Sequence, residues 1–478
     1  VRSGNRPLVM VSNRLPVVLE REEASWKVQA GAGGLVSALM PAVAGARGTW
    51  IGWTGTDRDP EVERLLAAHA EPGYRLQPVF LTAEEKSGFY CGFSNEIVWP
   101  LFHDLQSRCN FEPAYWESYQ RVNAKFAAVI AEASAPEDFV WVHDYHLMLA
   151  GQKLRESSAR RRTGFFLHIP FPAPDIFEKL PWRRQVLEGL LAYGLVGFQT
   201  PRDLRNFANC LRRLVPQALL HRQEELVQVQ TEGGSTWAGS FPIGIDFAAV
   251  ERQAQAAEAA HAAARIRADL APCQVVLGVD RLDYTKGIPE RLKAFRALLR
   301  QPGVPKVTLV QVVVPSRADL PRYQELKLEV ERLVSQINGE HGQTGWVPVH
   351  YLYRQLPPAE LFSYYRAADV ALITPLKDGM NLVAKEYCAA RGDQDGVLVL
   401  SEYAGAAVEL GCGAILVNPY DVEGVAAALR QALTMEAGER RARMRRMRRR
   451  VRHTNAFRWF DSFLGAAERL QMAAVAAA

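Results

Sequence analysis

The sequence predicts an α/β protein built from two doubly wound domains, and three observations carry that expectation. Its 478 residues are more than one ordinary core fills. Short β-branched runs alternate with longer amphipathic stretches throughout, the pattern of helices layered on parallel sheets. The alternation pauses once, at Phe241-Pro-Ile-Gly-Ile-Asp246, and then starts afresh. Pro242 and Gly244 suit a domain boundary there.

In the first series, strands are expected near Val9 and at 50–53, 79–81, 139–142, 164–167 and 195–198. Helices are expected over 114–133 and 201–214, and the glycine-rich Gly31-Ala-Gly-Gly-Leu35 should open another over 36–43. The polar, Gly-Ser-Thr-rich stretch 222–239 reads as a hairpin or an exposed loop. After the pause an alanine-rich helix, about 248–270, leads to strands at 274–278, 307–314, 349–353, 370–374, 397–400 and 414–417. Wholly apolar runs such as Val370-Ala-Leu-Ile373 belong to sheets covered on both faces. Ligands of such sheets bind beyond the C-terminal ends of the strands, and two of them in tandem would face each other across a cleft.

Composition narrows the function classes. No apolar run approaches the ~20 residues that span a bilayer, and no secretory leader pattern precedes Leu8-Val-Met-Val-Ser12. The six cysteines are scattered without a C-x-x-C pair, as in a reduced, cytoplasmic protein. The net charge of +5 hides an asymmetry, because nine arginines fall between Arg440 and Arg452. Met444, Met447 and Val451 space an apolar stripe through that run, and no aromatic interrupts it. It therefore reads as the solvated face of a helix rather than a nucleic-acid or membrane surface.

The chemistry sits at predicted strand ends. Thr374-Pro-Leu-Lys-Asp-Gly-Met-Asn-Leu-Val-Ala-Lys-Glu386 reads as strand, tight loop and helix start. A helix N-terminus at Asn381 presents unpaired N–H groups to an anion. Asp378 can accept from sugar hydroxyls and Glu386 from a ribose, so the segment suits a nucleotide sugar. In Gly278-Val-Asp-Arg-Leu-Asp-Tyr-Thr-Lys-Gly287, Arg281 and Lys286 sit five apart on a loop and can converge on one polyanion. The alternative is a surface turn in which they pair with Asp280 and Asp283. Trp141-Val-His-Asp-Tyr-His-Leu147 and the distant His168 have the residue types of a metal site, but the spacing is not H-x-x-x-H and no carboxylate backs it. Both D-x-D strings, Asp57-Arg-Asp59 and Asp393-Gln-Asp395, read as turns. A lone His168 in Leu167-His-Ile-Pro-Phe-Pro172 would by default be a core histidine, and Tyr90 and Trp99 could equally be core aromatics.

Taken together, these strings resemble the trehalose-6-phosphate synthases, retaining glycosyltransferases of the two-Rossmann-domain (GT-B) architecture, over nearly the whole chain. The resemblance implies an acceptor-side domain over 1–245, rejoined by a crossover helix at about 455–478, and a nucleotide-sugar domain over 246–454. It implies glucose transfer from UDP-glucose to glucose 6-phosphate with retention, giving α,α-trehalose 6-phosphate. The residues themselves do not fix the base. The implied donor contacts are Gly33, Gly34, His168, Arg281, Lys286, Asp378, Gly379, Met380, Asn381, Leu382 and Glu386. The implied acceptor contacts are Arg14, Tyr90, Trp99, Asp144 and Arg317, with Arg14 and Arg317 on the sugar phosphate. Catalysis would fall to Asp144, His168, Arg281, Lys286 and Asp378, with no cofactor, metal, nucleic acid or membrane as partner; homo-oligomer formation stays open. Two other readings stand beside this one: a glucosyltransferase acting on another phosphorylated polyol, such as glycerol 3-phosphate, and an inactive sugar-phosphate sensor.

Overall fold

A computed structural model describes residues 8–22, 25–31, 48–68, 74–157, 161–317 and 320–477. The chain forms two compact units. One runs up to Ile243 and takes in the chain from Ala456 onward, and the other is Gly244–Asn455.

In the first unit the strands are β1 (Leu8–Arg14), β2 (Val17–Glu22), β3 (Ser25–Ala30), β4 (Gly48–Trp53), β5 (Tyr74–Val79) and β6 (Phe139–His143). They continue as β7 (Arg162–Phe166), β8 (Leu195–Phe198), β9 (Leu219–Gln223), β10 (Leu226–Thr231) and β11 (Gly234–Ser240). The main sheet has the order β5-β4-β1-β6-β7-β8-β11-β10-β9, while β2 and β3 form a separate hairpin. From β5 to β8 every pairing is parallel. Counting only these six strands, the order is 3-2-1-4-5-6, and the direction of winding reverses between β1 and β6. That reversal opens a crevice at their C-terminal ends.

The second unit repeats the plan with β12 (Gln274–Arg281), β13 (Val307–Val314), β14 (Val349–Tyr353), β15 (Val370–Ile373), β16 (Val397–Ser401) and β17 (Ile415–Val417). The order is β14-β13-β12-β15-β16-β17, parallel throughout. Its winding reverses between β12 and β15. In both units the strands at the reversal carry candidate residues at their ends, Arg14 and Asp144 in one and Arg281 and the Asp378 loop in the other, while His168 follows β7 and Arg317 follows β13.

Several elements differ from expectation. The run 79–81 belongs mostly to the loop after β5. The stretch 222–239 takes the hairpin of its two expected forms, and beyond expectation its last strand, β11, joins β8 in parallel. The alanine-rich helix is two helices, Phe247–Gln255 and Ala257–Asp269, broken where Ala256 turns extended. The arginine-rich helix Ala437–His453 does bury Met444, Met447 and Val451. It also buries Arg448, whose guanidinium donates to the Cys388 and Ala389 carbonyls and pairs with Glu251. That contact satisfies the C-terminal carbonyls of the helix Leu382–Ala390. The helix expected over 36–43 lies outside the described residues, as do Gly33 and Gly34. Among the described residues no helix is long and apolar enough to cross a membrane.

The final helix, Ala456–Ala477, packs on the first unit's sheet through Trp459, Phe460 and Phe463. Phe463 stacks on Trp141 with ring centroids 4.3 Å apart. It can seat there because β7 and β8 carry Gly164 and Gly197, where a Cβ would fall 2.8 Å from the Phe463 ring.

Candidate active site

In the second unit, the Asp280 and Asp283 carboxylates determine what the cations can do. Both are buried, and a buried carboxylate needs a partner. Asp280 takes Arg291, a wholly buried arginine that also donates to Thr374 Oγ1, Gln311 Oε1 and the Lys286 carbonyl. Asp283 takes Arg317 at 3.2 Å and the Tyr323 hydroxyl, and caps the turn Tyr284–Lys286 through the Thr285 N–H. Burial works against the Asp283 carboxylate, but Arg317 and Arg281 outweigh it and hold its pKa below the ordinary value. The close pairs of Arg281 and Lys286 with Asp280 and Asp283 that a surface turn would make do not form among the described residues, although both cations still act on Asp283 through space. Arg281 is exposed and, among the described residues, makes no close ion pair. Lys286 turns to Asp378, with Nζ 2.5 Å from Oδ2.

Asp378 is the hub of the loop after β15. Its carboxylate also accepts from Asn381 Nδ2 at 3.1 Å. Asn381 holds φ +84°, which L residues other than asparagine and aspartate rarely adopt, and caps the helix Leu382–Ala390 by accepting the Ala384 N–H. Segment 403–406 backs the loop: the Gly405 N–H donates to the Asp378 carbonyl and the Ala406 N–H to the Met380 carbonyl. A Cβ at Gly405 would fall 1.9 Å from the Gly379 oxygen, so the two segments can touch only through glycine. Met380 is buried and Leu382 half-buried. One turn on, half-buried Glu386 accepts from the Tyr365 hydroxyl at 2.9 Å. Burial pushes its carboxyl up to about 7, with the Tyr365 bond working the other way.

In the first unit, a cavity of about 430 Å³ opens at the ends of β1 and β6, lined among others by Asn13, Arg14, His143, Asp144 and His146. Arg14 is exposed and stacks its guanidinium 3.9 Å from the Trp53 ring centroid, and among the described residues no carboxylate pairs with it. Tyr90 stacks on His146 with centroids 5.9 Å apart and meets Trp53 edge-on. Trp99 lies deeper, 5% exposed, against His103 and Tyr145. Asp144 holds φ +73° and ψ +166°, a region other residues leave to glycine. Its Oδ1 accepts the His168 backbone N–H at 3.2 Å. The His168 ring stands between His143 Nδ1, 3.1 Å from its Nε2, and Gln199 Nε2, 3.4 Å from its Nδ1. Burial drives the His168 pKa down to about 3 and His143 well below its ordinary value. Among the described residues no three of His, Cys, Asp and Glu gather as a metal cage.

The structure therefore groups Arg14, Tyr90, Asp144 and His168 in one unit and Arg281, Lys286, Asp378, Asn381 and Glu386 in the other. Arg317 sits with Asp283 and Tyr323. Three candidates, Asp144, Arg317 and Asn381, are among the few described non-glycine residues with positive φ. Such outliers cost of order 1–3 kcal/mol and cluster at functional sites. The Lys286 side chain is only 13% exposed, because Asp378 closes over it. Sequence reasoning passed over Arg291, His143 and Gln199 as site residues. Only the place of Gln199, at the end of β8, could have marked it.

Residues 6–469 match glycosyltransferase family 20. The chain is 44% identical to the trehalose-6-phosphate synthase of Mycolicibacterium paratuberculosis over 97% of its own length and 95% of the relative's. It is 43% identical to that of Mycolicibacterium smegmatis, over 97% and 93%. Among solved structures, it resembles a UDP-forming α,α-trehalose-phosphate synthase from Burkholderia xenovorans in complex with glucose-6-phosphate (TM-score 0.88, 35% identity, 96% of this chain and 100% of that one). It also resembles an E. coli chain bound with UDP-2-fluoro glucose (TM-score 0.87, 36% identity, 96% and 98%).

The raised Glu386 carboxyl gives a pH test. Its folded pKa lies above the ordinary 4.5. Protonated Glu386 thus contributes stability that is complete below the unfolded value and lost as pH rises through about 7. Thermal melting of the ligand-free protein from about pH 5 to about pH 8 should show Tm falling relative to Glu386→Gln. Parallel curves for the two proteins would refute the assignment.

Proposed function

Since the chain belongs to glycosyltransferase family 20, we propose that it transfers glucose from UDP-glucose to the anomeric hydroxyl of glucose 6-phosphate, with retention, forming α,α-trehalose 6-phosphate and UDP. The observation that carries this reading is the sorting of charge in the second unit. Arg291 and Arg317 take the buried aspartates, while Arg281 makes no close ion pair among the described residues and Lys286 is held beside Asp378 and the helix N-terminus at Asn381. Preorganised positive charge of this kind stabilises a leaving diphosphate.

In the proposed step the bond from the glucose anomeric carbon to the diphosphate oxygen breaks. The bond to the acceptor oxygen forms on the same face, and the leaving diphosphate takes the acceptor's proton. Arg281, Lys286 and the N–H groups after Asn381 receive the developing charge. Asp378 accepts from the glucose hydroxyls and Glu386 from the ribose. Gly33, Gly34, Gly379, Met380 and Leu382 belong to the donor set on resemblance. Asp144 orients the attacking hydroxyl, His168 contacts the transferred glucose, and Arg14, Tyr90, Trp99 and Arg317 bind the acceptor. The Arg14 guanidinium, stacked on Trp53 and without a carboxylate partner among the described residues, suits a phosphate, and positioning rather than a side-chain nucleophile supplies the rate. We also propose that the protein works in the cytoplasm. The glycerol 3-phosphate and sensor alternatives are not favoured: relatives carry the synthase name along almost their whole length, and the leaving-group cations are present.

Incubation of UDP-, GDP- or ADP-glucose with glucose 6-phosphate, and in parallel with glycerol 3-phosphate, should release UDP fastest with glucose 6-phosphate and yield a disaccharide phosphate by mass. Release of nucleotide only with glycerol 3-phosphate, or none at all, would refute the reading.

Arg14→Ala, which leaves Asp283 its partner Arg317, should raise the acceptor KM by about 10–150-fold, the scale of a lost charge-assisted contact, with donor KM near wild type. Equal weakening of both substrates would refute the acceptor-phosphate role of Arg14.

A further inference from the structure

Gln199 follows β8 and lies in none of the strings that drew attention to the site. Its amide orientation is fixed, because Oε1 accepts the Ile243 backbone N–H at 3.0 Å. The NH₂ end must therefore face His168 Nδ1, and an amide nitrogen can only donate. His168 Nδ1 is then the bare nitrogen and Nε2 carries the proton. That proton points at His143 Nδ1, 3.1 Å away, so His143 in turn carries its own on Nε2. One backbone N–H thus sets the tautomers of two histidines.

The rings are also boxed in. Phe166, His143 and Trp459 stand 4.7, 5.3 and 6.0 Å from the His168 centroid. The titratable groups facing His168 are His143 and Asp144, the latter engaged on its backbone N–H. The final helix presents the Trp459 ring, and the β8 end presents the neutral Gln199 amide. Burial disfavours a charge on either imidazole. With Nδ1 closed by Gln199, a ligand can engage the ring only at Nε2, by taking over the proton now given to His143 Nδ1, and there the ring can act only as a donor.

We propose that Gln199 and His143 are positioning residues that present His168 to the transferred glucose as a neutral Nε2–H donor, His143 Nδ1 holding the place of the sugar oxygen until it arrives. This rests on the reading above that His168 contacts that glucose.

The test is Gln199→Glu, which has the same shape and can still accept the Ile243 N–H. Its second oxygen can only accept, so it draws a proton onto His168 Nδ1 and raises the His168 pKa. Protonated His168 still has an Nε2–H, whereas neutral His168 in the variant keeps its proton on Nδ1 and loses that donor. At saturating substrates, the ratio of variant to wild-type kcat should fall about 10–100-fold as pH rises through the new His168 pKa. Histidine-selective ¹⁵N spectra of the ligand-free wild type should show His168 as the Nε2–H form from about pH 5.5 to about pH 8, without titration.

A ratio that is low but flat with pH would overturn the positioning role. An Nδ1–H form, or a titrating His168, in the wild type would overturn the tautomer assignment whether or not the variant folds, and would leave glucose transfer itself untouched. Failure of the wild type to transfer glucose at all would remove the sugar partner named here, with the tautomers intact.

Discussion

The allocation of two buried aspartates governs the second unit. Asp280 and Asp283 flank the very loop that carries Arg281 and Lys286, and in water they would be the natural partners of those cations. Burial changes the outcome. A buried carboxylate left with only a solvent-facing partner is costly, so each is taken by an arginine rooted in the core: Arg291 from the helix Ile288–Leu299 and Arg317 from the end of β13. Arg291 does more than neutralise. By also holding Thr374, Gln311 and the Lys286 carbonyl, it ties together the ends of β12, β13 and β15. Arg281 is thereby left without a close ion pair among the described residues, while Lys286 goes to Asp378 rather than to either buried aspartate.

A second constraint is topological and acts in both units. Each sheet reverses its winding between its first and fourth parallel strands, β1 and β6 in one and β12 and β15 in the other. Loops at such a reversal diverge and leave a crevice. The strained Asp144 and Asn381 lie at these points, held by a dense set of backbone bonds: Asp144 by the Phe166 carbonyl, and the Asn381 loop by Tyr403, Gly405 and Ala406. Such bracing is what lets an unfavourable φ persist.

The parallel strands were readable from the sequence because β-branched runs of this length have few other uses, and the strand-end motifs followed from them. What was not readable depended on contacts distant in sequence. The pairing of Gln199 with His168 spans 31 positions, and the Trp459 ring reaches His168 only because Gly164 and Gly197 let the final helix settle on the sheet. No local pattern announces either. The closure of Asp378 over Lys286, 92 positions apart, was missed for the same reason. The hairpin of β2 and β3 escaped notice because its charged residues, Glu20, Arg21 and Lys27, mask the alternation that marks a strand. The break at Ala256 has no evident cause in an alanine-rich stretch.

If the aspartates are allocated as described, Arg281 is reserved for a diphosphate and contributes nothing to a bare nucleoside. Calorimetric titration of the wild type and Arg281→Ala with UDP and with uridine tests this directly. The account predicts that the preference for UDP over uridine falls by about 10–150-fold in the variant while uridine binding stays as it was. An unchanged preference would contradict it.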